Sequence, residues 1–426
     1  MAAVPWWQRV TSLLGLGVLI FLAWLMSSNR KLFPTRVVLW GLGLQLIFAV
    51  FVLDTWMGRE LFGFLNDVVV GLLGFTAEGS RFLFGDYLDD KFTFALNVLP
   101  TILFFSSLMA ILYHLGVMQR LVSIIAALMG RTMKTSGSET LSAAANIFVG
   151  QTEAPLVIKP YVATMTKSEL NAVMVGGFAT VAGGVLAAYV GMLESIFPDI
   201  AGHLIAASVM SAPAALLIAK VMQPETEVSQ TLANEDARPI PLAIERIDAN
   251  VLDAAARGAT EGLKLAFNVA AMLLVFLALV AMIDFVIGLP VMAYNEMFDA
   301  TVSPWSLRGI LGGAFSPLAF IMGVPPEECG QVGALLGEKM VLNEFVAYTH
   351  LGEMLQSGEG LSQRSAVIST YALCGFANFG SIGIQIGGIS AIAPERRSDL
   401  AKLGLRAMLG GTLAACMTAT VAGLLL

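Results

Sequence analysis

The sequence carries little charge for its length. Charged side chains make up 13% of the 426 residues, against about 25% in an average soluble domain. Apolar side chains make up 57%, and mean hydropathy is +0.79. So few charges cannot cover the surface of a soluble protein, and the composition therefore predicts a polytopic membrane protein. A net charge of −7 without a cluster of lysine and arginine argues against a nucleic-acid partner.

Cysteine and histidine are also scarce, with three residues of each. They are Cys329, Cys374, Cys416, His114, His203 and His350. They stand neither at the spacing of metal ligands nor at that of a disulfide framework. A zinc site and a disulfide-stapled scaffold are therefore excluded as explanations of this chain.

Long apolar runs are abundant, and about 20 such residues cross a bilayer as one helix. Eight runs predict membrane spans: Leu13–Met26, Val37–Leu53, Phe94–Val117, Asn171–Ile196, His203–Val221, Leu265–Gly288, Ala366–Ile392 and Leu405–Leu426. The first is interpreted as a retained span, because no small-residue cleavage site follows it. The sequence thus predicts an all-α protein with eight transmembrane helices.

Basic residues set the predicted orientation. Arg30, Lys31 and Arg36 follow the first span, and four further basic residues stand at the entry to the last, at Arg396, Arg397, Lys402 and Arg406. Because cytoplasmic loops are enriched in lysine and arginine, both termini are predicted outside, in the periplasm of a Gram-negative cell. One segment disagrees: Gln223–Asn250 should be cytoplasmic, yet it carries six acids and two arginines.

Two apolar segments are too polar to be lipid-facing spans. Ser138–Thr164 and Pro326–Leu351 contain prolines and charged residues, which predicts re-entrant hairpins sheltered by protein at about 138–164 and 326–351. A plain loop is the alternative for each. Gln119–Met129 has the apolar spacing of a short helix at the membrane interface. In the second hairpin, Glu327, Glu328 and Lys339 are expected at the rim or paired with one another.

Each hairpin is followed by a span with a glycine-rich break, at Gly176–Gly184 and at Cys374–Ser381. Both breaks contain Gly-Phe-Ala and then a polar residue. Three predicted crossings separate the hairpins, so the hairpins enter from opposite faces and the halves form an inverted repeat. Broken helices at matching places in such halves indicate a binding site near the middle of the membrane.

Two acids, Glu153 and Glu344, lie within the predicted hairpins, where an ionisable side chain suggests function. Snorkelling or pairing between helices is the alternative explanation. Gln151, Thr152 and Glu153 together could read the edge of a heterocycle, and Glu344 with its polar neighbours could bind the hydroxyls of a sugar.

Asn146 and Thr180 offer neutral oxygens close to the first hairpin and the first break. Such oxygens suit a small hard cation such as Na⁺. Capping of the broken helix and bonding between helices remain open alternatives for both residues.

Three motifs resemble the concentrative nucleoside transporter family. They are Gly150–Pro155, the run Gly337–Tyr348 that matches the family signature G-x-K-x-x-x-N-E-F-V-A-Y, and Cys374–Ser381. The resemblance runs from about residue 10 to the end and is to the bacterial form with eight spans. It implies sodium-coupled import of nucleosides such as uridine, cytidine and adenosine across the inner membrane, by elevator-like movement within a homotrimer. It implies a transporter and not an enzyme.

The resemblance also implies roles for individual residues. The nucleobase would contact Gly150, Gln151, Thr152, Glu153 and Val185; the ribose would bind Glu344, Asn378 and Ser381, with Phe376 packing beside base or sugar. Sodium would bind Asn146, Val149, Thr180 and Val181, the valines through their carbonyls. Thr180 stands where the family pattern has serine, so a hydroxyl is retained. Proton coupling, a passive channel and an intramembrane enzyme using Glu153 and Glu344 are the alternatives.

The implied domains follow the spans. Residues 1–117, which hold spans 1–3 and a periplasmic interfacial segment, and residues 251–300, which hold span 6, would form the scaffold. Residues 118–221 and 301–426, each with a hairpin and two spans, would form the moving transport domain. Residues 222–250 would be a cytoplasmic linker.

Overall fold

The computed structural model describes residues 5–85, 87, 93–232, 248–358 and 361–426, and all regular structure within these ranges is helical. The middle of the expected linker, residues 233–247, lies outside the described residues, as do residues 88–92 at the end of the predicted periplasmic interfacial segment. An all-α fold, as the composition predicts, is confirmed for the described chain.

The described part of the first half holds eleven α-helices. They are α1 (Trp6–Leu25), α2 (Thr35–Asp54), α3 (Trp56–Phe84), α4 (Leu99–His114, preceded by a π-helical turn at Phe94–Val98), α5 (Val117–Met133), α6 (Gly137–Ala145), α7 (Ala154–Val157), α8 (Lys159–Val162), α9 (Lys167–Ala179), α10 (Gly183–Leu193) and α11 (Ile200–Met222). The second half holds α12 (Val251–Phe298), α13 (Leu307–Ile321), α14 (Cys329–Val341), α15 (Glu344–Ser357), α16 (Gln363–Leu373), α17 (Phe379–Ile392) and α18 (Arg397–Leu425).

Eight helical stretches in the described chain are long and apolar enough to cross a membrane, the number that the sequence predicts. The eight observed stretches differ from the eight predicted spans at two places. Helix α3 qualifies although its segment was not predicted as a span, because most of its charges lie near its ends and leave an apolar middle. The predicted span Ala366–Ile392 does not qualify, because its break divides it into the shorter helices α16 and α17.

The two halves repeat one order of elements: a long helix, a shorter helix, a hairpin, a broken helix and a second long helix. The first hairpin is α6–α8 and the second is α14–α15. Arg396, at the start of α18, donates to the Met165 carbonyl at the base of the first hairpin. Arg364, at the base of the second, donates to the Gly423 carbonyl near the other end of α18, at 2.6 Å. The hairpins therefore enter from opposite ends, which confirms the inverted repeat.

Three long elements form the centre of the described chain. The broken helix α9–α10, α11 and α18 are almost wholly buried, whereas the most apolar stretch of α12 is entirely unburied. Helix α1 packs on α18, α2 packs on α11, and α4 packs on α12 and on α10. The centre thus contains the broken helix that follows the first hairpin, and α4 lies between this centre and α12.

Lys339 is not at the rim of the second hairpin, so that expectation is wrong. Its side chain is buried, and its Nζ donates to the Ala372 carbonyl at the end of α16, at 2.8 Å. Glu328 instead accepts a hydrogen bond from the Ser362 hydroxyl at 2.9 Å. The physical reason is length: the eleven positions between Glu328 and Lys339 span about 16 Å of helix, which carries the lysine deep into the hairpin.

One acid of the segment after α11 takes part in a buried ion-pair cluster. Lys220, near the end of α11, is buried and lies 2.7 Å from the Glu139 carboxylate of the first hairpin and 3.4 Å from that of Glu225. Glu225 also accepts from the Thr166 hydroxyl at 2.9 Å. One acid of this segment, Glu225, therefore helps hold the base of the hairpin against α9 and α11.

We expect Lys220→Met to lower the stability of the detergent-solubilised protein by about 3–5 kcal/mol, because it leaves Glu139 buried without its cation. Thermal unfolding measures the loss, and the exposed Lys402→Met is the matched control. Adding Glu139→Gln should recover much of the loss, since the uncompensated charge is then removed. An unchanged melting temperature in the single variant would show that the pair does not hold the hairpin.

Candidate substrate and ion site

A buried carboxylate joins the two hairpin systems. Glu344, in the first turn of α15, is 3% exposed. Its Oε1 accepts from the Tyr189 hydroxyl of α10 at 3.1 Å, and its Oε2 accepts from Asn378 Nδ2 at 3.0 Å. Both carboxylate oxygens therefore receive a donor, as a buried acid requires.

Helix caps position these groups. Asn343 caps α15 by accepting from the Val346 amide at 3.0 Å, which places Glu344 at the positive end of the helix. Asn378 caps α17 by accepting from the Ser381 amide at 2.8 Å. Because a backbone N–H can only donate, this bond fixes the amide orientation of Asn378 and turns its NH₂ group toward Glu344.

The first hairpin reaches the same cluster through Gln151. Its Nε2 donates to the Ser381 hydroxyl at 3.2 Å, and its Oε1 accepts from Gln385 Nε2 at 3.0 Å. A continuous chain of hydrogen bonds thus runs from Tyr189 through Glu344, Asn378 and Ser381 to Gln151 and Gln385. The structure brings together the side chains that the sequence assigns to sugar recognition and one that it assigns to base recognition.

The remaining residues expected at the base lie outside this chain of bonds. Glu153 is exposed, and its Oε2 would be only 2.3 Å from a Cβ on Gly150, so the carboxylate folds back over that glycine. The Cγ2 of Thr152 would be 2.6 Å from a Cβ on Gly388 of α17. Val185 is buried in α10, one turn before Tyr189.

The break between α16 and α17 lies against the end of α9. Gly375 has φ +148°, and a Cβ there would be 2.7 Å from the Phe178 carbonyl. Both the backbone conformation and the close approach require glycine. The half-buried Phe376 follows, and its carbonyl accepts from the Asn378 amide at 2.8 Å. The two predicted breaks are therefore in direct contact.

Two of the four expected ion ligands, Asn146 and Thr180, lie at the last turn of α9. Asn146 is 1% exposed, and neither atom of its amide has a hydrogen-bond partner in the described part of the chain. Its Nδ2 would be 3.2 Å from a Cβ on Gly176, whose carbonyl accepts from the Thr180 hydroxyl at 2.9 Å. Val181 is fully buried and Val149 is half-buried.

An unpartnered buried amide is costly, and a cation on its oxygen would remove the part of that cost that belongs to the oxygen. Neutral amide, hydroxyl and carbonyl oxygens are the donors that suit Na⁺. The residues present therefore fit a sodium ion, and Asn146 supplies the observation, because helix capping would have given its amide a partner.

Two residues of the cluster were missed by reasoning from the sequence. Tyr189 is a single polar group in the apolar helix α10, and Gln385 stands between isoleucines in α17. A polar side chain in an apolar membrane helix is expensive to bury, and this signal could have identified both.

Two consecutive glycines of α9 leave room for the Asn146 amide and for the pair Gln151 and Gln385. Gly176 faces the Asn146 amide, whereas a Cβ on Gly177 would be 2.7 Å from Gln385 Nε2 and 2.9 Å from Gln151 Cβ. Any larger side chain at Gly177 would displace the two glutamines.

Comparison with known families gives three matches along the chain. Residues 14–87 match the N-terminal model and residues 203–423 the C-terminal model of the Na⁺ dependent nucleoside transporters. Residues 95–196, which hold the first hairpin and the first broken helix, match a model described as nucleoside recognition.

Relatives and solved structures agree with these matches. An uncharacterised transporter of Haemophilus influenzae is 43% identical over 97% of both chains. The sodium/nucleoside cotransporter 1 of Mus musculus is 42% identical over 98% of this chain and 64% of its own. CNTnw in an inward-facing substrate-bound state superimposes with a TM-score of 0.88 at 44% identity, covering 98% of both chains. A doubly substituted CNTnw in an outward-facing state gives 0.88 at 44% identity over 98% of this chain and 97% of that one.

Proposed function

The chain belongs to the Na⁺ dependent nucleoside transporter family, and from this premise we propose how its residues perform transport. It is a transporter and not an enzyme, and it couples nucleoside import to sodium by alternating access. The observation that supports the residue assignments is the hydrogen-bond chain from Glu344 to Gln151, which joins the two hairpins through the second break.

The nucleoside lies between the hairpins in this proposal. Its ribose hydroxyls bind Glu344, Asn378 and Ser381, which present a carboxylate, an amide and a hydroxyl to one place. Its base lies against the tip of the first hairpin and α10, contacting Gly150, Gln151, Thr152, Glu153 and Val185, with Phe376 packing beside base or sugar. Uridine, cytidine and adenosine are the proposed substrates, since each carries ribose hydroxyls and a base with hydrogen-bonding edges.

Sodium binds Asn146 and Thr180 through their side chains and Val149 and Val181 through their carbonyls in this proposal. Both side chains meet at Gly176, so ion binding would order the first hairpin against the end of α9. Ordering that raises nucleoside affinity must raise sodium affinity by the same factor when the nucleoside binds first.

The elevator movement takes α4 and α12 as the scaffold. Helix α4 packs on α12 and, across the proposed sliding surface, on α10. The sequence expectation also placed the first two spans in the scaffold, but α1 packs on α18 and α2 on α11, which supports their moving with the transport domain. A homotrimer is part of this proposal by family resemblance, and the unburied apolar stretch of α12 is a surface that lipid or a second copy would cover.

We place the protein in the inner membrane with both termini in the periplasm. Arg9 donates to the Leu426 carbonyl at 3.3 Å, so the two termini share one end. Arg406 donates to the carbonyls of Met26 and Met222, at the far ends of α1 and α11. This basic end carries Arg30 and Arg36 and is the cytoplasmic one by the orientation rule.

Uptake of radiolabelled uridine into proteoliposomes tests the function and the ion. We expect concentration of uridine only with an inward sodium gradient at constant pH. Thr180→Ala should raise the sodium concentration for half-maximal uptake by about tenfold, because one oxygen ligand is lost. Thr180→Ser, which keeps the hydroxyl, should show the same sodium dependence of uptake as the unaltered protein. Uptake driven by a proton gradient instead would overturn the sodium site, and no uptake under either gradient would overturn the substrate.

Glu344→Gln should weaken uridine binding by about 10- to 100-fold, since a charge-assisted hydrogen bond is lost and an NH₂ group is turned toward a donor. Glu328→Gln, in the same hairpin but at its base, is the matched control and should bind uridine normally. Binding is measured calorimetrically in sodium buffer. Undiminished uridine affinity in Glu344→Gln would show that Glu344 does not bind the ribose hydroxyls.

Engineered disulfides test the division into moving parts. A Cβ on Gly184 of α10 would be 3.3 Å from Ser106 Oγ of α4, and a Cβ on Gly41 of α2 would be 3.0 Å from Leu217 Cβ of α11. Oxidation of Ser106→Cys/Gly184→Cys should stop uptake and reductant should restore it, because it ties the scaffold to the transport domain. The matched pair Gly41→Cys/Leu217→Cys should cross-link without stopping uptake.

Loss of maleimide labelling confirms that each disulfide has formed, and the four single variants provide the baseline. If the oxidised α2–α11 pair also stops uptake, α2 does not travel with α11 and belongs to the scaffold, as the sequence had suggested.

A further inference from the structure

We propose that Gln385 is a positioning residue that fixes which end of the Gln151 amide faces the substrate, so that this site reads a hydrogen-bond acceptor on the nucleobase. The proposal rests on the proposed contact between Gln151 and the base, and it goes beyond that contact by naming the residue that sets its polarity.

The orientation starts from a backbone carbonyl of α9. Gln385 Nε2 donates to the Met174 carbonyl at 3.1 Å. A carbonyl oxygen can only accept, so the Gln385 amide must turn its NH₂ group toward Met174. The opposite orientation would set two oxygens against each other inside the protein, where Gln385 is fully buried.

The same NH₂ group then orients Gln151. The second hydrogen of Gln385 Nε2 goes to Gln151 Oε1, at 3.0 Å. The atom of Gln151 that faces this hydrogen must be an acceptor, so the Gln151 oxygen is bonded to Gln385. The NH₂ group of Gln151 therefore points away from Gln385. One hydrogen of that group goes to the Ser381 hydroxyl at 3.2 Å, and the second remains for a ligand. The amide thus offers the base a donor, which a carbonyl or unprotonated ring nitrogen would accept.

The surroundings of Gln385 support a role in orientation. It stands between Ile384 and Ile386, and its Oε1 has no hydrogen-bond partner among the described residues. An apolar side chain would avoid this cost of burial. Gly177 leaves the space that the two glutamines occupy, since a Cβ there would be 2.7 Å from Gln385 Nε2.

The test compares uridine with two analogues, each lacking one base carbonyl oxygen, at position 2 or position 4. We expect the unaltered protein to bind at least one analogue about tenfold more weakly than uridine, as the loss of one buried hydrogen bond implies. Gln385→Met, which keeps the volume and removes both donors, should weaken uridine binding and reduce that tenfold penalty to about twofold or less, because the Gln151 amide is then free to turn over.

Two controls separate orientation from a general structural effect. Discrimination against 3′-deoxyuridine should change much less than the base-analogue penalty in Gln385→Met, because Glu344, the proposed carboxylate ligand of the ribose, is bonded to Tyr189 and Asn378 and to neither glutamine. Gln45→Met is the matched variant: Gln45 is also fully buried, and its Nε2 donates to a carbonyl, that of Gly41, outside the site. It should keep the analogue penalty.

A double-variant cycle with Gln151→Ala completes the test. If Gln385 acts through Gln151, Gln385→Met should change uridine affinity by less than about twofold once Gln151 is alanine. Additive losses, an unaltered analogue penalty in Gln385→Met, or no penalty in the unaltered protein would each overturn this inference alone. Unchanged nucleoside affinity in Gln151→Ala would instead overturn the proposed base contact itself.

Discussion

A carboxylate buried at the meeting point of two hairpins is the constraint on which the rest of this structure depends. Glu344 cannot be held inside the protein without donors, and its donors come from α10 and from the break after α16. Supplying them requires two unwound helices, caps at Asn343 and Asn378, and close contact between the breaks at Gly375. The cluster therefore explains the broken helices, because a continuous helix would present neither cap nor amide to the acid.

Two buried lysines near the hairpins also need polar partners inside the protein. Lys220 lies between two carboxylates at the base of the first hairpin, and Lys339 ends on the carbonyl of Ala372 inside the second. Each joins its hairpin to a neighbouring helix. Polar contacts thus fix the hairpins at base and centre, whereas the long helices around them are held by apolar packing.

The sequence was informative where a polar or charged group is costly to bury. It was less informative where the packing of helices determines the position of a residue. Hairpins, breaks and the buried acid were all predictable, because a charge or a glycine in an apolar run needs a reason. The helical state of residues 56–84 was not, since charges near the ends of an apolar stretch suit a loop as well as a helix. The depth of Lys339 depended on where its helix begins, and the partner of Gln151 depended on which residues of α17 face α9. The assignments of base, ribose and sodium ligands came from family motifs and remain predictions.

The consecutive glycines of α9 have a geometric consequence. Neighbouring residues of an α-helix are separated by about 100° around its axis and 1.5 Å along it. Gly176 and Gly177 therefore present one turn of helix to the Asn146 amide on one side and to the Gln151 and Gln385 amides on another. Rotation of that turn moves its surface relative to both sets of amides at once. The angle of this turn about the helix axis therefore sets its clearance from the Asn146 amide and from the amides of Gln151 and Gln385 together.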